Sequence, residues 1–137
     1  MSDIVYAIEK SLDVSEFVEV LKNSTLGERR PLDDEQRISS MCNNANLIVT
    51  ARLDGTLIGV ARSITDFVYC TYLSDLAVDI RFQKKGIGKR LIEETKKQTP
   101  QAKLILLSAP AAVDYYPRIG MTKHNHCYYL DELKDLK

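Results

Sequence analysis

Lys84, Lys85 and Lys89 surround two glycines in the run Gln83-Lys84-Lys85-Gly86-Ile87-Gly88-Lys89. An apolar, β-rich segment, FVYCTYLSDLAVD from Phe67 to Asp79, comes before it, and a helical segment from Lys89 to Gln98 follows. Glycines without a Cβ let the backbone take unusual φ and let an anion approach closely. The first N–H groups of a helix have no internal partners, and with the helix dipole they form an anion cradle. The lysines add charge. This combination can hold a phosphate; the plainer alternative is a glycine-rich helix entry with solvated lysines. Two nucleotide motifs fail on spacing. GxxxxGK[ST] is absent, and GIGKRL lacks the third glycine of GxGxxG and follows the fourth strand rather than the first.

Other reactive side chains carry weaker signals. Cys42, Cys70 and Cys127 are odd in number and form no CxxC pair, which argues against a disulfide framework or a zinc knuckle. Cys70 and Cys127 fall on expected strands with nothing nearby to lower a thiol pKa, so both are expected to be buried rather than nucleophilic. His124 and His126 share one face of an expected strand, but no third ligand accompanies them, and no metal is expected. Arg29 and Arg30 leave the loop punctuated by Gly27 and Pro31 basic.

Lys plus Arg and Asp plus Glu are 19 each, so no global field draws nucleic acid or anionic lipid to the chain, and any anion site is local. The 137 residues fit one domain, 1–137, that buries roughly two-thirds of its unfolded surface. Hydrophobic residues make up 45% and charged ones 28%, ordinary for a globular protein. No apolar run approaches the roughly 18 residues of a membrane span, and no signal peptide is evident. The expectation is a reduced, cytoplasmic protein with no nucleic-acid or membrane partner.

The elements that position the basic turn follow from local pattern. Ile4, Tyr6 and Ile8 alternate like a strand, and Val14, Phe17, Val18 and Leu21 take helical spacing behind an N-cap at Asp13. A second helix is expected from Asp33 or Asp34 toward Met41, ending at Asn43–Asn44. Asp54–Gly55 lies between two alternating runs and predicts a hairpin. After the glycine turn and its helix, AKLILLSA (Ala102–Ala109) reads as a strand covered on both faces. AAVDYYPRIG reads as a short helix stopped by Gly120, and His124–Leu130 as a last strand whose edge offers pairing across a homodimer. The order β-α-α-β-β-β-α-β-α-β predicts a mixed α/β fold: a mostly antiparallel sheet, a central parallel β-α-β unit from Tyr72 to Ala109, and helices on both faces.

Two motifs carry a family resemblance. Gln83-Lys84-Lys85-Gly86-Ile87-Gly88 resembles the [RQ]-x-x-G-x-[GA] signature of the GCN5-related N-acetyltransferases, which follows a strand ending like Leu76-Ala77-Val78. Tyr115-Tyr116-Pro117-Arg118-Ile119-Gly120-Met121 resembles the family's [FY]-Y-x-[KR]-x-G-[FM]. The element order is similar over nearly the whole chain. Lys84 stands where many members have glycine, Ile80 where many have proline, and Ala109 where an asparagine is common.

The resemblance implies acetyl transfer from acetyl-CoA to a primary amine, by direct attack in a ternary complex. It implies the acyl-CoA N-acyltransferase fold, with Gln83 to Lys89 around the pyrophosphate. A bulge near Ser74 to Leu76 would free strand-edge groups of Leu76 and Val78, flanking Ala77, for the pantetheine arm and the oxyanion. Tyr116 is implied as the acid that protonates the leaving thiolate. Asp75 is the candidate base, with Tyr72 or a water as alternatives and a structural carboxylate as the plainer role. The amine acceptor, small molecule or peptide, is not identified by these residues; the resemblance places Arg29 and Arg30 in the loop that lines the family's acceptor site, where they contact an anionic acceptor or are solvated. A second reading is a non-catalytic module of the same fold that binds coenzyme A.

Overall fold

Asp13 caps the first helix through its carboxylate, which accepts from the Ser15 amide at 2.9 Å. The computed structural model describes residues 3–137, which divide into two compact units, one running to Leu107 and the other Ser108–Lys137. In the first unit, β1 (Ile4–Ile8) leads into α1 (Val14–Asn23), a 3-10 turn (Leu26–Arg29) and α2 (Glu35–Asn44). Then come β2 (Leu47–Leu53), β3 (Thr56–Thr65), β4 (Cys70–Val78), a 3-10 turn (Ile80–Phe82), α3 (Ile87–Gln98) and β5 (Lys103–Ile105). Asp34 caps α2 by accepting from the Arg37 amide at 3.1 Å. Asp54 and Gly55, both at positive φ, close the β2–β3 hairpin.

The sheet order is β1-β2-β3-β4-β5, antiparallel except for the parallel β4–β5 pair that α3 connects. Its two faces carry separate cores. Phe17, Val20 and Leu21 of α1 and Ile38 of α2 pack with Val60 and Ala77 on one face. Ile87 and Leu91 of α3 pack with Ala61, Ile58 and Leu73 on the other. Apart from the alanines, each such side chain contributes about 1.5–3 kcal/mol by burial. Being covered on both sides, β2 and β3 are buried at nearly every position, where simple alternation would have left one face wet.

The second unit holds a 3-10 turn (Pro110–Ala112), the four-residue helix α4 (Tyr115–Arg118) and a 3-10 turn (Leu133–Asp135). The strand expected at His124–Leu130 is not formed. Its alternation has strand character, but a strand exists only where a neighbouring ladder takes its N–H and C=O groups. Here the His126 amide instead donates to Nδ1 of His124 at 2.9 Å, a local bond. The edge offered for a homodimer is therefore not there. For the same reason β5 is a three-residue edge strand rather than a run covered on both faces, with Ile105 and Leu107 exposed, and the parallel pair sits at one side of the sheet.

Cys42 is buried, as its helix position requires, but Cys70 and Cys127 are exposed. Cys70 opens β4 beside the exposed turn of Phe67, Val68 and Tyr69, and Cys127 lies in the segment that forms no strand. Expecting them to be buried was wrong for that reason. Among the described residues, no helix is long and apolar enough to cross a membrane.

Candidate functional site

The site begins with an irregularity in β4. Arg62 pairs with Asp75 but Ser63 pairs with Leu73, so Ser74 is the extra residue of a bulge. Beyond it β4 loses one neighbour, since β5 pairs only with Cys70, Thr71 and Tyr72. From Leu73 to Val78 no strand pairs with that edge among the described residues, and side chains take two of the carbonyls, Arg30 that of Ser74 and Gln83 that of Val78. Asp79 donates its amide to the Ile58 carbonyl at 2.8 Å, which fixes the alternation. Ala77 therefore turns its backbone toward β3, while Leu76 and Val78 direct theirs to the open edge.

The chain leaves β4 through a tied turn. The buried Asp79 carboxylate accepts from the Arg81 amide at 2.9 Å and from its guanidinium at 2.8 Å, and these bonds hold it below the usual carboxylate range. Gln83 Nε2 donates to the Val78 carbonyl at 2.8 Å, joining the start of the basic run to the end of the strand. Lys84 then takes φ +64° and Gly86 φ +83°, both left-handed. Lysine stands at a conformation that glycine takes without strain, which costs about 1–2 kcal/mol. Gly86 is the N-cap of α3 and no side chain caps that helix. A Cβ on Gly86 would meet nothing within 4 Å, so the space before the helix is open.

Ile87, only 2% exposed, anchors the first turn of α3 against the sheet. Gly59 of β3 permits that approach: a Cβ there would lie 3.2 Å from Leu91 Cδ1 and 3.3 Å from Ile87 Cγ2. Lys84, Lys85 and Lys89 are exposed, and no ion pair engages them among the described residues. Lys85 lies over the Phe82 ring, 5.7 Å from its centroid. Unpartnered helix amides, a left-handed entry and three unpaired cations together fit a bound phosphate ester.

Asp75 does not stand open to an incoming amine. It is fully buried, and each carboxylate oxygen is engaged by a guanidinium: Oδ1 by Nε of Arg30 and Oδ2 by Nε of Arg62. A base must come within hydrogen-bond reach of the proton it takes, and both oxygens are occupied. Arg30 is likewise not free to meet an acceptor, because it is turned inward to Asp75, while Arg29 stays exposed. Sequence pattern missed this cluster, since nothing local links residues 30, 62 and 75. Removing the carboxylate would leave the buried Arg62 guanidinium and the partly buried Arg30 guanidinium facing each other. Asp75→Ala is therefore expected to lose about 3–5 kcal/mol in urea unfolding, and a near-parental midpoint would contradict the ion pairs.

Across from the bulge, the Ser63 hydroxyl is buried and has no hydrogen-bond partner among the described residues. Ser63→Ala removes an unsatisfied group, so stability should rise by about 1 kcal/mol, a few degrees in the melt. A lower melting temperature would mean the hydroxyl is paired.

Tyr116 belongs to the second unit, on α4. Its ring meets Tyr115 edge-on, with centroids 5.2 Å apart and planes at 76°. The Tyr116 carbonyl accepts from the Met121 amide at 3.0 Å, closing the turn after the helix. Tyr116 is partly buried; burial first, and the neighbouring Tyr115 second, push its hydroxyl above the ordinary tyrosine value. His124 and His126 stack edge-on at 5.4 Å, and no group of three metal-ligating side chains occurs among the described residues.

The profile of the GNAT acetyltransferase domain matches residues 13–135. The chain belongs to the GNAT acetyltransferase family. A similar protein is the uncharacterized N-acetyltransferase ycf52 of Pyropia yezoensis, 26% identical over 128 residues that span 88% of this chain and 71% of that one. Among solved structures, the aminoglycoside N-acetyltransferase AAC(6')-Iy in complex with CoA superposes with TM-score 0.74 at 14% identity, covering 97% of each chain. An aminoglycoside acetyltransferase, meta-AAC0020 from an uncultured soil metagenomic sample, in complex with sisomicin, superposes with TM-score 0.68 at 20% identity, over 94% of this chain and 97% of that one. At these identities the two structures share the fold with this GNAT chain.

Proposed function

We propose that this GNAT chain transfers an acetyl group from acetyl-CoA to a primary amine by direct attack in a ternary complex. The observation that carries the reading is the continuous path from a half-open β4 edge to the uncapped start of α3, with Gly86 left-handed and three unpaired lysines around it. In this reading Gln83 to Lys89 hold the pyrophosphate, with Gly88 and Ile87 contributing helix amides. The Leu76 groups and the Val78 N–H take the amide-rich pantetheine arm, the Val78 carbonyl being held by Gln83, and an N–H there stabilises the oxyanion. Tyr116 protonates the departing thiolate, a role its raised hydroxyl pKa suits. Asp75 acts as an anchor, and Tyr72, which is exposed, or a water takes the amine's proton.

The solved relatives that act on aminoglycosides support a small-molecule acceptor. We read 1–137 as one N-acetyltransferase domain, supported by a family match that spans both units. Cytoplasmic location is proposed from three cysteines that are all unbridged. The test is coenzyme A release from acetyl-CoA with a panel of small amines, alongside coenzyme A binding. Turnover with any amine supports the enzyme. Tight binding with no turnover over the panel would favour a coenzyme A-binding module instead, and no binding would remove both.

A further inference from the structure

The bulge at Ser74 is held by side chains as well as by backbone pairing. Arg30 donates through Nη2 to the Ser74 carbonyl at 2.9 Å, and Arg62 donates through Nη2 to the Ser74 hydroxyl at 3.0 Å. The same two guanidiniums use their Nε groups on the Asp75 carboxylate. Because Arg62 reaches both Ser74 and Asp75, the two side chains lie on one face of the sheet, as a bulge allows. Each arginine also reaches a different part of the fold. Arg62 Nη1 donates to the Met41 carbonyl in α2 at 3.0 Å, and Arg30 Nη1 donates to the Arg29 carbonyl at the end of the 3-10 turn at 2.9 Å.

We propose that Arg30, Asp75 and Arg62 are positioning residues: a clamp that fixes the Ser74 bulge and ties the segment between α1 and α2 to the open edge of β4. The physical reason is geometric. A bulge leaves ladder groups unpaired and the strand free to slip by one residue, which would turn the edge groups of Leu76 and Val78 the wrong way. A planar guanidinium donating in two directions at once fixes carbonyl and carboxylate relative to each other, and a lysine ammonium cannot match that fork. The clamp's bearing on catalysis rests on the proposed pantetheine contact at this edge, whereas its bearing on the strand does not.

Arg30→Lys tests it, because the lysine keeps a charge beside the buried Asp75 and lets the chain fold. Two readouts are needed. Amide hydrogen exchange in the variant should quicken at least tenfold at Asp75 and Ala77, whose backbone faces β3 just beyond the bulge, with β2 and α3 amides unchanged. Affinity for coenzyme A should fall about tenfold, while affinity for adenosine 3′,5′-bisphosphate, which lacks the pantetheine arm, stays parental. Arg62→Lys should repeat both effects. Parental exchange at Asp75 and Ala77, or a uniform rise across the sheet, would overturn the clamp. Local loosening with equal loss of both ligands would overturn its link to the pantetheine edge. A parent chain that binds neither ligand would defeat the proposed function and leave the exchange result to decide the clamp alone.

Discussion

Tyr116→Phe is expected to turn over acetyl-CoA roughly 10²- to 10⁴-fold more slowly than the parent on any amine the panel identifies, the range for a positioned acid. The substitution removes one hydroxyl and keeps the ring edge-on to Tyr115, so melting temperature and coenzyme A affinity should barely change. The pH profile gives a second check with a defined sign. Burial raises the hydroxyl's pKa above the usual value of about 10, and an acid works only while protonated. Parental turnover should therefore hold through pH 10, on the order of the free-tyrosine value, and fall only above it; the phenylalanine variant should lack that limb. A tyrosine that only packs predicts the reverse: lower stability with near-normal turnover. Near-parental turnover in Tyr116→Phe would remove it from the mechanism.

Coenzyme A at about 100 times its dissociation constant should stabilise the parent by roughly 2.7 kcal/mol, or about 9 °C in the melt. Gly88→Val should abolish that shift. Gly86 is the poorer choice, because its φ of +83° strains any side chain and would mix backbone strain with loss of the cradle. Gly88 is helical, in the first turn of α3, where valine is no worse a helix former than glycine. The variant should thus melt at or near the parental temperature without ligand, with its branched side chain beside the amides that receive the phosphate. An undiminished shift in Gly88→Val would place the phosphate elsewhere.

Much of this was legible from local pattern because the determinants are local. The helix cap at Asp13, the start of α2 beside Asp34, the Asp54–Gly55 turn and the glycine entry to α3 each depend on a few adjacent residues, and all stand as expected. The bulge position came from family resemblance rather than from spacing, and the shifted register at Ser74 matches it. What stayed hidden depends on distant residues. Asp75 looked like a carboxylate at a strand end, and only folding brings Arg30 and Arg62 to it. The His124–Leu130 segment has the alternation of a strand, but alternation cannot say whether a partner ladder exists. Lys84 is an instructive intermediate case. Its departure from glycine was visible in the sequence, but its left-handed backbone required the fold.

The three thiols have a practical use. Cys42 is buried, donates to the Leu12 carbonyl at 3.2 Å and has its pKa raised by burial, so a thiol-directed spin label should leave it alone. Cys70 and Cys127 are exposed, one in each compact unit, and both should react. The native chain thus carries a pair of labelling positions without any engineered cysteine. A pulsed dipolar measurement between them gives a distance distribution across the two units, and the same sample with coenzyme A added shows whether that distribution narrows.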